Sequence, residues 1–444
     1  MKSLTWLASD NDWWIAILLL PLFLIPLLHA WGFIIAIGIC LSAGAVIYGI
    51  QHAEVLLILT LYAPIIKASP LNPVPDAIDL TVLFYALFLL VIAVLFIFKK
   101  WKFPRLELPD YLLILYLALV CLDYFHSPNE VREYATFKLV RFSVLSLPFY
   151  FFPKIMSGKA LRHAGWLITF AGALVCLGLF LVFPTAIQIK GYGNSYLTMA
   201  TLAGVTLMFA TVMYIQEKRF LPKLACMTAV LIALLLVFKT NSRAGILFSS
   251  LVVLLYLGYV FRHKHLLALF TLIIFVFATT VTYQFYPDFF TRFFLIFKTH
   301  KGSSINLRFT LYQVSRRILA EQWFSGIGLG GFAKYHYLNN PHNFILESFL
   351  EHGIAGGLIM LTWVGSLIRR WVSFLRKGGL NQPYAAYFLS SVYLFLFFMT
   401  SFALESMRVL FFFAGAMMVL GGPEVTVLSE VTGETETSIS DASL

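Results

Sequence analysis

Residues 339–356 read NNPHNFILESFLEHGIAG and set His342 at the head of an apolar run. Asn340 and Pro341 precede it. Asparagine suits a helix N-cap, and proline suits the first helical position because its missing N–H is one of the unpaired donors anyway. The pattern predicts a helix capped by Asn340, with His342 in its first turn. The positive end of the helix dipole disfavours imidazolium there, so the ring is expected to be neutral near pH 7. A neutral imidazole is what a general base needs. At about 100° per residue, Gly353 and Gly356 fall on the face below His342. They are expected to give a neighbouring helix or a lipid chain a smooth surface to approach. A plainer alternative is that His342 only caps a helix and the glycines only pack.

The residues just upstream could supply fixed positive charge. In LRFTLYQVSRRILAEQW, residues 307–323, Leu307, Leu311, Val314 and Ile318 recur with helical spacing. That spacing predicts an amphipathic helix lying at the outer membrane surface. Arg308 begins it and Tyr312 follows one turn on; an arginine fork suits phosphate, or else anchors the helix among lipid headgroups. SGIGLGGF, residues 325–332, carries a formal GxGxxG at Gly326, Gly328 and Gly331. With no strand before it and no βαβ unit around it, it is not a dinucleotide site. It reads as a flexible turn leading to the histidine. Arg243 stands in KTNSRAG at the end of an apolar run, where it either meets a ligand or snorkels.

The elements that must position these residues are membrane spans. The chain has 444 residues, 60% hydrophobic and 12% charged, with a mean hydropathy of +0.86. Soluble domains carry about 25% charged residues. A water-soluble fold could not hide this much apolar surface. The apolar runs are about 17–22 residues long and lack the alternation of an outer-membrane barrel. The expected fold is therefore all-α and polytopic. Spans are expected near 13–29, 31–50, 54–67, 78–98, 108–122, 139–153, 165–184, 197–215, 224–240, 244–261, 266–285, 344–368, 384–402 and 407–421. That is about fourteen, or about twelve if short runs are re-entrant. The first run shows no cleavage site and reads as a retained anchor. Cys40, Cys121, Cys176 and Cys226 lie singly in apolar runs and read as small core residues, neither a disulfide framework nor a metal site.

Basic clusters fall on alternate connections: KKWKFPR (99–105), SGKALRH (157–163), QEKRFLPK (216–223), FRHKH (261–265) and RRWVSFLRKGG (369–379). By the positive-inside rule these loops and both termini face the cytoplasm. The organisation expected is residues 1–285 as spans with short outer loops, 286–341 as one large outer loop, 342–421 as C-terminal spans, and 422–444 as a disordered acidic tail. The large loop holds seven basic residues against two acidic ones. That excess suits an anionic ligand on the outer face.

R-x-x-L-Y with its amphipathic helix, then SGIGLGGF, then PHNFILESFLEHGIAG, resembles the O-antigen ligase and polymerase superfamily. His342-Asn343, nine residues, Gly353, two residues, Gly356 matches the motif H-N-x9-G-x-x-G associated with lipopolysaccharide O-antigen ligases. The resemblance implies transfer of a glycan from undecaprenyl diphosphate, at the periplasmic face of the bacterial inner membrane, without a metal or other cofactor. In a ligase the acceptor is a hydroxyl of the lipid A core; in a polymerase it is a second lipid-linked glycan. It implies His342 as the base and Arg308, Arg243 and Arg292 as cations for the leaving diphosphate. The S-R-A-G step around Arg243 resembles a family motif. In QIKGYGNSY, Lys190 stands where the family tends to carry an arginine, and Asn194 fits the family asparagine. Lysine gives a point charge rather than a fork. Asn343 and Tyr312 complete the expected substrate-binding set. The partners implied are the lipid-linked glycan, its acceptor and the bilayer; no nucleic acid is expected. A transporter of lipid-linked sugars would instead show charged or broken segments at the membrane midplane and internal symmetry.

Overall fold

The computed structural model describes residues 46–67, 79–98, 104–183, 195–262 and 303–422, with positions 44 and 284. The spans expected near 13–29, 31–50 and 266–285 lie wholly or mostly outside these residues, as does the acidic tail.

Two compact units divide at Lys102 and Phe103. In the first, helices α1 (Ala53–Lys67) and α2 (Leu80–Ile97) pack against each other. Asp79 caps α2 by accepting the N–H of Thr81 at 2.9 Å.

The second unit begins with α3 (Leu108–Phe125). A short bend leads to α4 (Arg132–Val140), a π-helical turn at Arg141–Ser146, and α5 (Pro148–Ile155). Then follow α6 (Gly158–Val182), α7 (Ser195–Gln216), α8 (Phe220–Lys239) and α9 (Arg243–Val260). Beyond the undescribed stretch come α10 (Ser303–Gln322), α11 (Phe344–Arg376), α12 (Ala385–Phe398) and α13 (Arg408–Leu420). Every span expected within the described residues is a helix. Among the described residues, eight helical segments are long and apolar enough to cross a bilayer, and three more are apolar but shorter. The protein is an all-α, multi-pass membrane protein.

The unit has two packing centres. Helix α7 is buried along most of its length, with α6, α8, α9 and α12 around it. Helix α13 is the other, packed on α5, α11 and α12. A side chain at Gly415 of α13 would stand 2.0 Å from the Tyr150 carbonyl oxygen of α5, so only glycine permits that approach. Many large apolar side chains, Leu174, Leu181 and Leu255 among them, are exposed, which suits lipid. Cys176 and Cys226 are buried as expected, but Cys121 is exposed. An apolar span offers its outer face to lipid, so an apolar neighbourhood in sequence does not guarantee a core position.

Three basic connections gather at one end. The Tyr384 hydroxyl donates to the Gly158 carbonyl at 3.2 Å, and Gln216 Nε2 donates to the Gln382 carbonyl at 2.7 Å. At the other end lie the start of α11, the end of α3 and helix α10.

Candidate functional site

Helix α11 starts at Phe344, and its N-cap is Asn343. Asn343 has extended backbone, and its side-chain oxygen accepts the N–H groups of Ile345 at 3.1 Å and Leu346 at 3.0 Å. The expectation that Asn340 caps this helix and that His342 sits in its first turn is therefore corrected. Asn340 instead closes a local turn, its side-chain oxygen accepting the His342 N–H at 3.0 Å. His342 lies one residue before the cap, with φ +56°. A non-glycine residue in the left-handed region is uncommon, and such strain concentrates at functional sites.

The His342 ring is mostly buried, and its Nδ1 is buried with no hydrogen-bond partner among the described residues. Burial pushes its pKa down to about 4, and the charges of Arg308 and His336 push it the same way. The ring is neutral at pH 7, as the first-turn dipole led one to expect. The cause differs: it is burial and the neighbouring cation.

Arg308 on α10 lies within electrostatic reach of both His342 and Tyr196, the second residue of α7. One turn along α7 from Tyr196, Ala200 packs against Gly245 of α9. Arg243 opens α9 just after its cap Ser242, which accepts the Gly245 N–H at 3.2 Å. His342, Arg308 and Arg243 thus share one end of the bundle. Tyr312 is exposed on α10. Lys190, Asn194 and Arg292 lie outside the described residues.

Helix α10 covers 303–322, and its apolar stripe is real, but it does not lie open to lipid. Leu311 and Ile318 are buried in one cluster with Ile327, Phe332 and Leu350, and Val314 and Leu346 pack at its edge. The stripe therefore holds α10 against α11 and the glycine turn, which fixes where Arg308 stands.

The glycines of the motif do something other than smooth a helix face. Helix α11 breaks at Gly353, with φ +60° and ψ −159°. A Cβ there would stand 2.0 Å from the Phe324 carbonyl oxygen, and one at Gly326 would stand 2.5 Å from the Glu351 carbonyl oxygen. The break frees two carbonyls, and the glycine turn fills them. Ile327 N–H donates to Leu350 O at 2.9 Å, and Gly328 N–H donates to Glu351 O at 3.1 Å. On its other side, the Leu329 carbonyl accepts the Ser127 hydroxyl at 2.8 Å. SGIGLGGF is thus an anchored turn, held between α11 and the end of α3, rather than the flexible link its composition suggested.

Beneath this turn lies a buried charge network that the sequence reading missed. Lys138 of α4, Glu347 and Glu351 are fully buried. Lys138 Nζ donates to Glu347 and to both carboxylate oxygens of Glu351, at 2.6 and 2.7 Å for the latter pair. Glu347 Oε2 accepts the Leu404 N–H at 2.9 Å. His352 Nδ1 pairs with Asp123 of α3 at 2.7 Å. Tyr116 and Ser348 share a hydrogen bond of 2.8 Å. Three elements, α3, α4 and the turn at Leu404, are thereby tied to the first turns of α11. A signal existed: Glu347 and Glu351, four apart in an apolar run, put two carboxylates on one helix face, which demands a buried cation.

A strained, neutral histidine within electrostatic reach of an arginine, at one end of a polytopic α-helical membrane protein, makes a candidate site at the end of the bundle. Residues 228–361 match the family described as O-antigen ligase. That stretch, under a third of the chain, is similar to the O-antigen ligase family. It takes in Arg243, Arg308, Tyr312, His342, Asn343, Gly353 and Gly356. No curated protein matches the chain.

Proposed function

We infer that the chain has a glycosyltransferase-like activity of the ligase and polymerase type in the O-antigen pathway, an inference supported by the family match over residues 228–361. We propose, more narrowly, that it is an O-antigen ligase. It would move a glycan from undecaprenyl diphosphate to a hydroxyl of the lipid A core, on the periplasmic side of the inner membrane.

His342 takes the proton of the acceptor hydroxyl as the new O–C1 bond forms. The bond from C1 to the phosphate oxygen breaks, and undecaprenyl diphosphate leaves with the electron pair. Arg308 and Arg243 face the charge that develops on the diphosphate, where an arginine fork is the best match. Lys190, Asn194 and Arg292 are assigned to the same donor on the resemblance alone. The Asn343 oxygen is spent on the cap, and its amide nitrogen has no partner among the described residues, so it can donate to the glycan. Arginine supplies the positive charge, so chelation by EDTA should leave the rate unchanged.

A pKa of about 4 makes free His342 a weak base. Binding of the diphosphate would correct this. Its negative charge offsets Arg308 and raises the basicity of the ring at the moment it is needed.

The observation that carries the proposal is the buried, unpartnered and neutral imidazole of His342 within reach of Arg308. Gene deletion followed by lipopolysaccharide electrophoresis tests it. Loss of all O-chains from the core, with lipid-linked chains accumulating, means ligase. Core bearing a single repeat means polymerase, the second reading that the family leaves open.

A further inference from the structure

Helix α11 runs for 33 residues and carries a second polar surface at its far end. Because α11 breaks at Gly353, the place of this surface is read from its neighbours: just past α11, Gln382 and Tyr384 bond to Gln216 and Gly158 at the end where the basic connections gather, away from His342.

A cavity of about 540 Å³ opens there, lined among others by Arg369, Arg370, Ser373, Lys377 and Glu107. Three cations face one carboxylate. Two of the cations are engaged: Arg370 pairs with Glu107, and Lys377 Nζ donates to the Gly422 carbonyl at 2.6 Å. Arg369 and the Ser373 hydroxyl are different. They stand four residues apart, so they share a helix face, and neither has a side-chain partner among the described residues. Leu108 and Pro109 supply an apolar wall. A concave site with an open guanidinium, an open hydroxyl and a surplus of positive field suits a phosphate group whose other end is greasy.

We propose that this cavity binds a phosphate group, carried by an anionic phospholipid, through Arg369 and Ser373, with Arg370 and Lys377 supplying field. The site is independent of the glycan-transfer proposal, and its test reads binding rather than transfer.

The test uses the full chain in neutral detergent. Binding of phosphatidylglycerol, phosphatidylcholine and inorganic phosphate is measured by native mass spectrometry and by thermal shift. Phosphatidylglycerol should bind and raise the melting temperature, and the effect should fade with added salt. The Arg369→Ala/Ser373→Ala double variant should bind roughly tenfold to a hundredfold more weakly. Arg369→Lys should keep part of the affinity, because it keeps the charge and loses the fork. Arg316→Ala, an exposed cation on α10, should bind as the wild type does. Equal binding of inorganic phosphate would support the phosphate chemistry and assign its source to solution. Equal binding of phosphatidylcholine, or unchanged binding by a folded double variant, would overturn the proposal.

Discussion

Gly353 of α11 and Phe324, just past α10, meet backbone to backbone: a Cβ on Gly353 would lie 2.0 Å from the Phe324 carbonyl oxygen. Gly353 also holds φ +60°, which a side chain resists. Gly353→Ala must therefore either push the glycine turn away or straighten α11. Overpacking and left-handed strain together should destabilise the protein by about 2–5 kcal/mol. Thermal unfolding in detergent measures it. A variant with wild-type melting temperature would show that the break is not needed.

The charge network supports the same region from below. Lys138→Met strands two buried carboxylates, and breaking a buried pair costs about 3–5 kcal/mol. The triple variant Lys138→Met/Glu347→Gln/Glu351→Gln should recover much of that loss, because the two carboxylates that Lys138 pairs with lose their charge together with it. Folded yield and melting temperature compare the two. If the single variant is the more stable, the network does not hold α11 in this way.

Asn343→Ala removes an acceptor for two N–H groups of the first turn of α11. The expected loss of stability is about 1 kcal/mol, as for other N-caps. Asn340→Ala frees the His342 N–H instead. It should lower the transfer rate more than it lowers stability, because it releases the strained backbone of the base. Equal activity of wild type and Asn340→Ala would separate the turn from catalysis.

Most of the architecture was legible before the structure. The apolar runs gave every described span, because a bilayer dictates helix length and demands internally satisfied backbone. The amphipathic stripe of α10 was legible too, since 3.6-residue spacing is local information. Its partner was not: Leu311 packs on Leu350 across a gap of 39 residues, and nothing local says whether an apolar stripe meets lipid or protein. The helix start was misread by three residues because Asn340 and Asn343 are both good caps, and only tertiary placement chooses between them. The break at Gly353 escaped because a wheel drawn at a constant angle assumes a straight helix. Lys138 escaped because its partners lie more than two hundred residues away.

His342 has a depressed pKa, so the sign of its pH dependence follows. The neutral ring is the active form, and protonation comes only as pH falls through about 4. kcat/KM, which reports the free enzyme, should stay level from neutral down to about pH 5 and drop below that. An ordinary histidine would already fail near pH 6.5. Arg308 is one of the groups that depress the ring. Arg308→Ala should therefore shift the acid limb to higher pH while also lowering the rate by about 10²–10³. Arg308→Lys should keep part of the rate. Stability should fall as pH drops from 6.5 towards 4, because the unfolded chain takes the proton first. A pH–rate profile with its limb unmoved in Arg308→Ala would disconnect the two residues.

The most direct measurement follows transfer by purified His342→Ala protein, with lipid-linked glycan and acceptor supplied. The substitution lies in a turn ahead of the helix cap, so the fold should survive, and circular dichroism checks that. Donor binding should also survive, since Arg308 and Arg243 remain. The rate should fall by about 10²–10⁴, the range for loss of a general base. Transfer at the wild-type rate by folded His342→Ala protein would contradict the assignment of His342 as the base.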